Sequence, residues 1–317
     1  MRMRHRNRLN LIGPLLLFAL SATASFGALA KAPAAAAAPP PVPLLWKVSD
    51  QDNAVYLLGS FHLLKTTDYP LAEEVEAAFE DAASLVFEVE PSELTSPATM
   101  AKFQSAAGYE NGKSLSTVLP EDVKARLAAL LSASGSSIEQ METTEPWAIS
   151  LGMVMGMAQS AGFRPEQGLD NHFIRRAAEA GKPVAGLETI DTQVAAMDGT
   201  PHSEQVYSLN KLLESPQEAV RELLDLHQAW RSGDVERLDG KMRKEMQTHT
   251  PVSYRMINLD RNNAWLPQIE KRLSAPGNDN TLIVVGSLHL IGEDGVVEKL
   301  RARGYRVERI CSACAEG

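Results

Sequence analysis

The chain has 317 residues and a formal net charge of -9, with a pI near 5.4. That acidic balance argues against nucleic acid as a partner, which calls for a basic surface. Two cysteines are too few for a structural zinc site, and the length suits one large α/β domain or two small ones.

Residues 1–30 read as a secretory signal. Arg2, Arg4, Arg6 and Arg8 form a positive start, Leu11 to Leu20 an apolar run, and Ala28-Leu29-Ala30 a small-residue cleavage site. The apolar run is shorter than the roughly 20 residues a membrane span needs, and an uncleaved anchor is the alternative. Residues 31–43 are Ala- and Pro-rich and read as a disordered or polyproline-like spacer. The expected mature protein is exported, periplasmic or secreted, with no stable membrane span and one α/β domain over 44–317.

Leu44–Val48 and Val55–Leu58 are short apolar runs around a polar turn, a hairpin signal. Pro70 is expected to open a helix carrying Leu71, Val75, Ala78 and Phe79 on one face. Residues 83–90 (ASLVFEVE) read as a strand buried on both faces. Residues 91–117 read as loop around a short helix, and Pro120 as the start of a helix to Leu131 with Val123, Leu127, Leu130 and Leu131 on one face. The Trp147–Ala161 helix is apolar nearly all round, so it is expected to be buried, with Met153, Met155 and Met157 as core filler.

Gly168-Leu169-Asp170 leads into a helix that Gly181 ends, and Val184–Leu187 is a strand finishing at Glu188-Thr189. Residues 192–250 read as a polar helical insertion or lid. A helix over Asp260–Leu273, a strand over Thr281–Val285, a helix over Val296–Arg303 and a strand over Tyr305–Ile310 complete the chain. Helices alternating with strands give the class α/β, with a mostly parallel central sheet flanked by helices. Cys311 and Cys314 can close a small local disulfide in an oxidising compartment.

The chemistry is carried by a repeated phrase. Leu57-Leu58-Gly59-Ser60-Phe61-His62 near the start matches Val284-Val285-Gly286-Ser287-Leu288-His289 near the end. Each is an apolar strand stopping at a glycine with a histidine just beyond, and in α/β folds ligands gather where strands end. Glu88 and Glu90 close the 83–90 strand, and Glu188 closes the next. A buried acid is costly unless it is paired or bound to metal. A His/carboxylate cluster of this kind suits a divalent-metal hydrolytic site or metal-free acid/base work by histidine. His172, His202, His227 and His249 lack the matched context and are expected at the surface or at caps. No G-x-S-x-G, H-E-x-x-H or phosphate-binding glycine loop is present.

Gly59-x-x-His62, the strand ending in Glu88, Gly168-Leu169-Asp170, Gly186-Leu187-Glu188-Thr189, Arg261-Asn262 and Gly286-x-x-His289 together resemble the TraB/PrgY/GumN family over roughly residues 44–310. The exported form resembles its GumN-like branch, with Ser60 and Ser287 where members more often have Thr. The family includes the Tiki proteins, described as metal-dependent proteases, and is related in architecture to erythromycin esterases and ChaN-like proteins. The resemblance implies a central cleft with His62 and His289 as paired motif histidines, Glu88 as the site glutamate and Arg261 as the site arginine.

On that basis His62, Glu88 and His289 are expected to bind Mn²⁺, Co²⁺ or Zn²⁺, Arg261 to stabilise an oxyanion, and Glu188 or Glu90 to assist proton transfer. The expected partner is a peptide or small-molecule substrate. A metal-free esterase and a non-catalytic binding protein for polysaccharide or peptide are the other readings. The aromatic content of 6% is sparse for sugar-stacking platforms.

Overall fold

The computed structural model describes residues 39–109 and 112–314. The expected signal and most of the expected spacer, residues 1–38, lie outside the described residues. Six strands form one sheet: β1 (Leu45–Ser49), β2 (Ala54–Ser60), β3 (Ala82–Val89), β4 (Val184–Glu188), β5 (Asn280–Gly286) and β6 (Arg306–Arg309), in the order β4-β3-β5-β2-β1-β6. β4, β3, β5 and β2 run parallel, while β1 is antiparallel to both β2 and β6. The sheet is therefore mixed and mostly parallel, flanked by helices, as the alternation of elements implied.

The inner strands are the most apolar because helices cover both faces. Every residue of β2 is buried, as is β5 from Thr281 to Gly286. Leu57, Leu85, Leu282, Ile283 and Val284 have no exposed surface, and each such side chain contributes about 1.5–3 kcal/mol by leaving water. The β1–β2 hairpin forms with Ser49 opposite Ala54.

The β2–β5 ladder positions the repeated phrase. Ser60 pairs with Gly286, so the two copies lie side by side with a one-residue stagger. Beyond the ladder their backbones differ. The chain after Ser60 runs on as an irregular loop, whereas Ser287–Leu290 is a single helical turn capped by Gly286. Buried Trp230 donates its indole N–H to the Gly59 carbonyl at 3.0 Å, fixing the end of β2.

Four regions depart from the sequence expectations. The Pro70 helix starts at Glu73, and it buries Val75, Ala78 and Phe79 as anticipated. Residues 91–117 hold three helices, Pro91–Leu94, Pro97–Ala106 and Leu115–Val118, two of them opened by prolines that suit a first helical turn. On the Glu121–Ala133 helix Val123 and Leu127 are buried while Leu130 faces solvent. The apolar Pro146–Ser160 helix is not buried all round: only Pro146 and Ala158 are, and Leu151 is exposed.

The 192–250 stretch is helical as expected, and its helices pack in two places. Leu209 and Leu213 of the His202–Glu214 helix join a separate apolar cluster with Leu115, Leu119, Val123, Leu127 and Ile138. The Pro216–Arg231 helix instead sends Ala229 and Trp230 into the main core. Cys311 and Cys314 are joined in a disulfide.

Candidate active site

The C-terminal ends of β2, β3, β4 and β5 deliver His62, Glu88, Glu188 and His289 to one region, and the Asp260–Leu273 helix adds Arg261 and Asn262. A π-helical turn, Arg255–Leu259, leads directly into that helix; such turns are frequent at functional sites.

Glu88 is the hub. Its Oε1 accepts the Gly286 backbone N–H at 2.7 Å, and its Oε2 accepts from Arg261 Nη2 at 2.7 Å and Gln193 Nε2 at 3.1 Å. Nε2 of His62 and Nε2 of His289 each stand 3.9 Å from the same Oε1. Burial works to raise the carboxyl pKa, but His289, His62, Arg261 and the Gly286 N–H together outweigh it and hold Glu88 ionised well below the usual carboxylate range.

The two imidazoles differ although their phrases match. The His62 side chain is 60% exposed, because its chain has left the sheet as a loop, while that of His289 is 7% exposed on a buried helical turn. His62 Nδ1 lies 2.7 Å from Asp170 Oδ2, and the Asp170 charge is the chief cause that pushes its pKa up to about 9, against desolvation and Arg261. Solvent at the open edge of the ring screens part of that effect. His289 moves the other way: burial drives its pKa down to about 3, opposed only by Glu88.

Arg261 Nη1 is 3.2 Å from His289 Nε2, and His289 Nδ1 is 2.7 Å from Asn262 Oδ1. Guanidinium can only donate. His289 is therefore the neutral tautomer that accepts at Nε2 and donates from Nδ1.

The glycines of the phrase act through space. A Cβ on Gly286 would lie 3.1 Å from His62 Nε2, 3.2 Å from Glu88 Oε1 and 3.6 Å from His289 Cδ2, so this glycine keeps open the gap between the three groups. A Cβ on Gly168 would lie 2.1 Å from the His62 carbonyl oxygen, so only glycine lets the chain before Asp170 approach so closely. Both motif serines are structural. Ser60 Oγ donates to Asp170 Oδ2 at 2.5 Å and Ser287 Oγ to the Ser60 carbonyl at 2.8 Å.

Glu188 is placed beside Arg261 and not beside the histidines. Its Oε1 accepts from Arg261 Nη2 at 2.6 Å and its Oε2 from Trp265 Nε1 at 3.1 Å. Through these bonds it positions the guanidinium. Glu90 is exposed and accepts from Ser92 Oγ. Sequence reasoning assigned no role to Asp170, Asn262 or Gln193. The first two stood inside the quoted Gly-Leu-Asp and Arg-Asn motifs; Gln193 had no signal.

The remaining histidines are not all peripheral. His227 is buried with Nε2 2.9 Å from buried Asp68, and His202 Nε2 lies 3.2 Å from Glu145 Oε1.

The fit of a divalent metal rests on the donors. Two donor atoms can share an ion only if they are closer than two metal–ligand bonds, about 4.2 Å for nitrogen and oxygen on zinc. Both 3.9 Å separations meet that limit. Each histidine is also anchored through Nδ1, as metal-bound histidines are. On the other side, Arg261 occupies the His289 Nε2 lone pair, and no group of three or more His, Cys, Asp or Glu among the described residues stands ready to hold an ion. The donor types are those a divalent metal takes, but holding one would require Arg261 to release the His289 Nε2 lone pair as well as a closer approach of the exposed His62 ring.

Residues 44–309 match the TraB/PrgY/gumN family. The chain belongs to that family. It is 25% identical over 246 residues to the uncharacterized protein YbaP of Escherichia coli (strain K12), covering 78% of this chain and 87% of that one. It is 23% identical over 303 residues to the metalloprotease TIKI2 of Danio rerio, covering 80% of this chain and 58% of that one. No solved structure gives a significant match. Among the described residues no helix is long and apolar enough to cross a membrane.

Proposed function

We propose that this protein is an exported hydrolase that cleaves peptide bonds with the help of a divalent cation held by His62, Glu88 and His289. The observation that carries the reading is the convergence of two Nδ1-anchored imidazoles on one carboxylate oxygen, each at 3.9 Å, over a glycine that leaves the space open. The distant likeness to a metalloprotease supports the choice of peptide bonds, and the N-terminal pattern of arginines and leucines supports export.

A bound Mn²⁺, Co²⁺ or Zn²⁺ would supply a water of lowered pKa and a Lewis acid for the carbonyl. The side chains have distinct tasks around it. Asp170 fixes the His62 ring from behind, and Asn262 does the same for His289. Arg261 aligns Glu88 and puts a permanent positive charge beside the histidines, where a developing oxyanion needs one. Glu188 and Trp265 keep that guanidinium in place.

One observation favours a second reading. Arg261 donates to His289 Nε2, and the Asp170–His62 pair has the geometry of an oriented general base. In a metal-free hydrolase His62 would activate water directly, and its pKa raised to about 9 would confine that role to alkaline pH. A mixed peptide substrate pool followed by mass spectrometry, with added Mn²⁺, Co²⁺ or Zn²⁺ or with chelator, separates the two. Cleavage that needs metal and is lost in His62→Ala supports the first; chelator-resistant cleavage supports the second. No cleavage under any of these ions would overturn both.

A further inference from the structure

The His289 ring is held from two sides. Arg261 donates to Nε2 at 3.2 Å, and Nδ1 donates to Asn262 Oδ1 at 2.7 Å. Any ion that takes the Nε2 lone pair displaces the first contact and leaves the second as the polar anchor of the ring. The Asn262 amide could face the ring with either end, since it carries both an acceptor and donors. A backbone carbonyl makes the choice. Asn262 Nδ2 donates to the Asp294 carbonyl oxygen at 3.0 Å, and a carbonyl only accepts, so Oδ1 must face the ring.

The turn that carries Asp294 is tied in its turn to a buried ion pair. Asp294 Oδ2 accepts from Gln247 Nε2 at 3.1 Å and from the Tyr254 hydroxyl at 3.2 Å. Gln247 Oε1 accepts from Arg243 Nη1 at 3.1 Å, and the same nitrogen donates to Glu293 Oε1 at 3.1 Å. Arg243 and Asp239, only 5% and 8% exposed, are joined by two hydrogen bonds, Nε to Oδ1 and Nη2 to Oδ2. The Arg243 side chain lies directly under Gly292, where a Cβ would collide with Nε. Gly292 has φ +75, so glycine meets both the close approach and the backbone conformation. The ion pair spans a π-helical turn, Asp239–Arg243, like the one that precedes Arg261.

We propose that Arg243 is a positioning residue for the site of His62, Glu88 and His289. By holding the 291–295 turn it places the Asp294 carbonyl, which fixes the Asn262 amide and so keeps the His289 proton on Nδ1 and the Nε2 lone pair free for the site. This matters most when Arg261 releases Nε2. The use of the device in catalysis rests on the hydrolase reading; the arrangement itself does not.

Proton–nitrogen NMR of the histidine rings in the metal-free full chain tests this without an activity assay. In the unaltered protein His289 is expected as a single tautomer, protonated at Nδ1, whose proton exchanges slowly with water. Two variants loosen the turn. Asp239→Asn/Arg243→Gln replaces the ion pair by neutral amides, and Gln247→Leu/Tyr254→Phe removes both side-chain donors to Asp294 Oδ2. In each, exchange of the Nδ1 proton is expected to quicken about tenfold or more, the effect of losing one buried hydrogen bond. His227, held by Asp68 elsewhere in the fold, is the control that a general loosening would move as well. Unchanged exchange at His289 in either variant that folds, or equal quickening at His227, would overturn the proposal. Metal titration of the same samples separates it from the metal reading. Quickened exchange in a chain that binds no ion would sink the metal reading and leave this one standing.

Discussion

Gly286→Ala separates the chemistry of the site from the stability of the fold. Gly286 has φ −52 and ψ 136, a conformation alanine adopts freely. Replacing a glycine at such a position stabilises by about 0.4–1 kcal/mol through the unfolded chain. The added methyl would stand 3.1 Å from His62 Nε2 and 3.2 Å from Glu88 Oε1, so the ring and the carboxylate must each give by a few tenths of an ångström. That crowding offsets the entropic gain, and the melting temperature should change little.

The site itself should not tolerate the change. The methyl fills the gap that a cation with bonds of about 2.1 Å to nitrogen and oxygen must occupy. Metal affinity is expected to fall by at least about a hundredfold, more than the loss of an outer-shell partner causes, and hydrolysis to fall with it. Metal titration followed by calorimetry, beside thermal unfolding of the same sample, reads both quantities. A Gly286→Ala protein that binds metal as tightly as the parent would refute placement of the cation between His62, Glu88 and His289.

Asp170→Asn removes the main cause that raises the His62 pKa, so a proton NMR titration should find the ring back from about 9 toward the ordinary 6.5; an unchanged value would refute the assignment. Protons compete with metal at His62, so apparent metal affinity in the unaltered protein should climb as pH rises toward 9 and then level off. His289 has a folded pKa lowered to about 3, so between there and 6.5 the unfolded chain binds the extra proton. Its contribution to stability is complete above 6.5 and is lost as pH falls toward 3. His289→Gln should flatten that part of a urea-midpoint profile, and an unaltered profile would count against a buried neutral imidazole. Arg261→Ala leaves buried Glu88 and Glu188 without their cation. Urea unfolding should show a loss of about 3–5 kcal/mol, the range for a broken buried pair, and a loss below 1 kcal/mol would contradict the pairing.

The strands and their ends were legible because they depend on local signals. Apolar runs that stop at glycine marked β2 and β5, and Glu88 and Glu188 fell at the ends of β3 and β4. Family membership was legible from the spaced motifs that carry His62, Glu88, Arg261 and His289. What the sequence concealed depends on tertiary context. Identical Gly-Ser-x-His phrases gave no hint that one copy would continue as a loop and the other as a helical turn, so the opposite pKa directions of His62 and His289 could not be read from them.

Asp170 and Asn262 were visible as motif letters, but their task of orienting rings on distant strands requires the β2–β5 register and the Asp260–Leu273 helix to be in place. Gln193 reaches Glu88 across 105 residues of chain, which no periodicity records. The Pro146–Ser160 helix misled for a related reason: apolarity on all sides shows which residues could be buried, while the number of neighbouring elements decides which are.

The most direct measurement is metal content and metal titration of the protein beside the His62→Ala/His289→Ala double variant, with Mn²⁺, Co²⁺ and Zn²⁺ in turn. The expected result is one ion per chain in the unaltered protein and none held by the variant, with both folded. Stoichiometric metal retained by the variant, or no binding of any of the three ions by either protein, would contradict a metal centre between the two strand-end histidines.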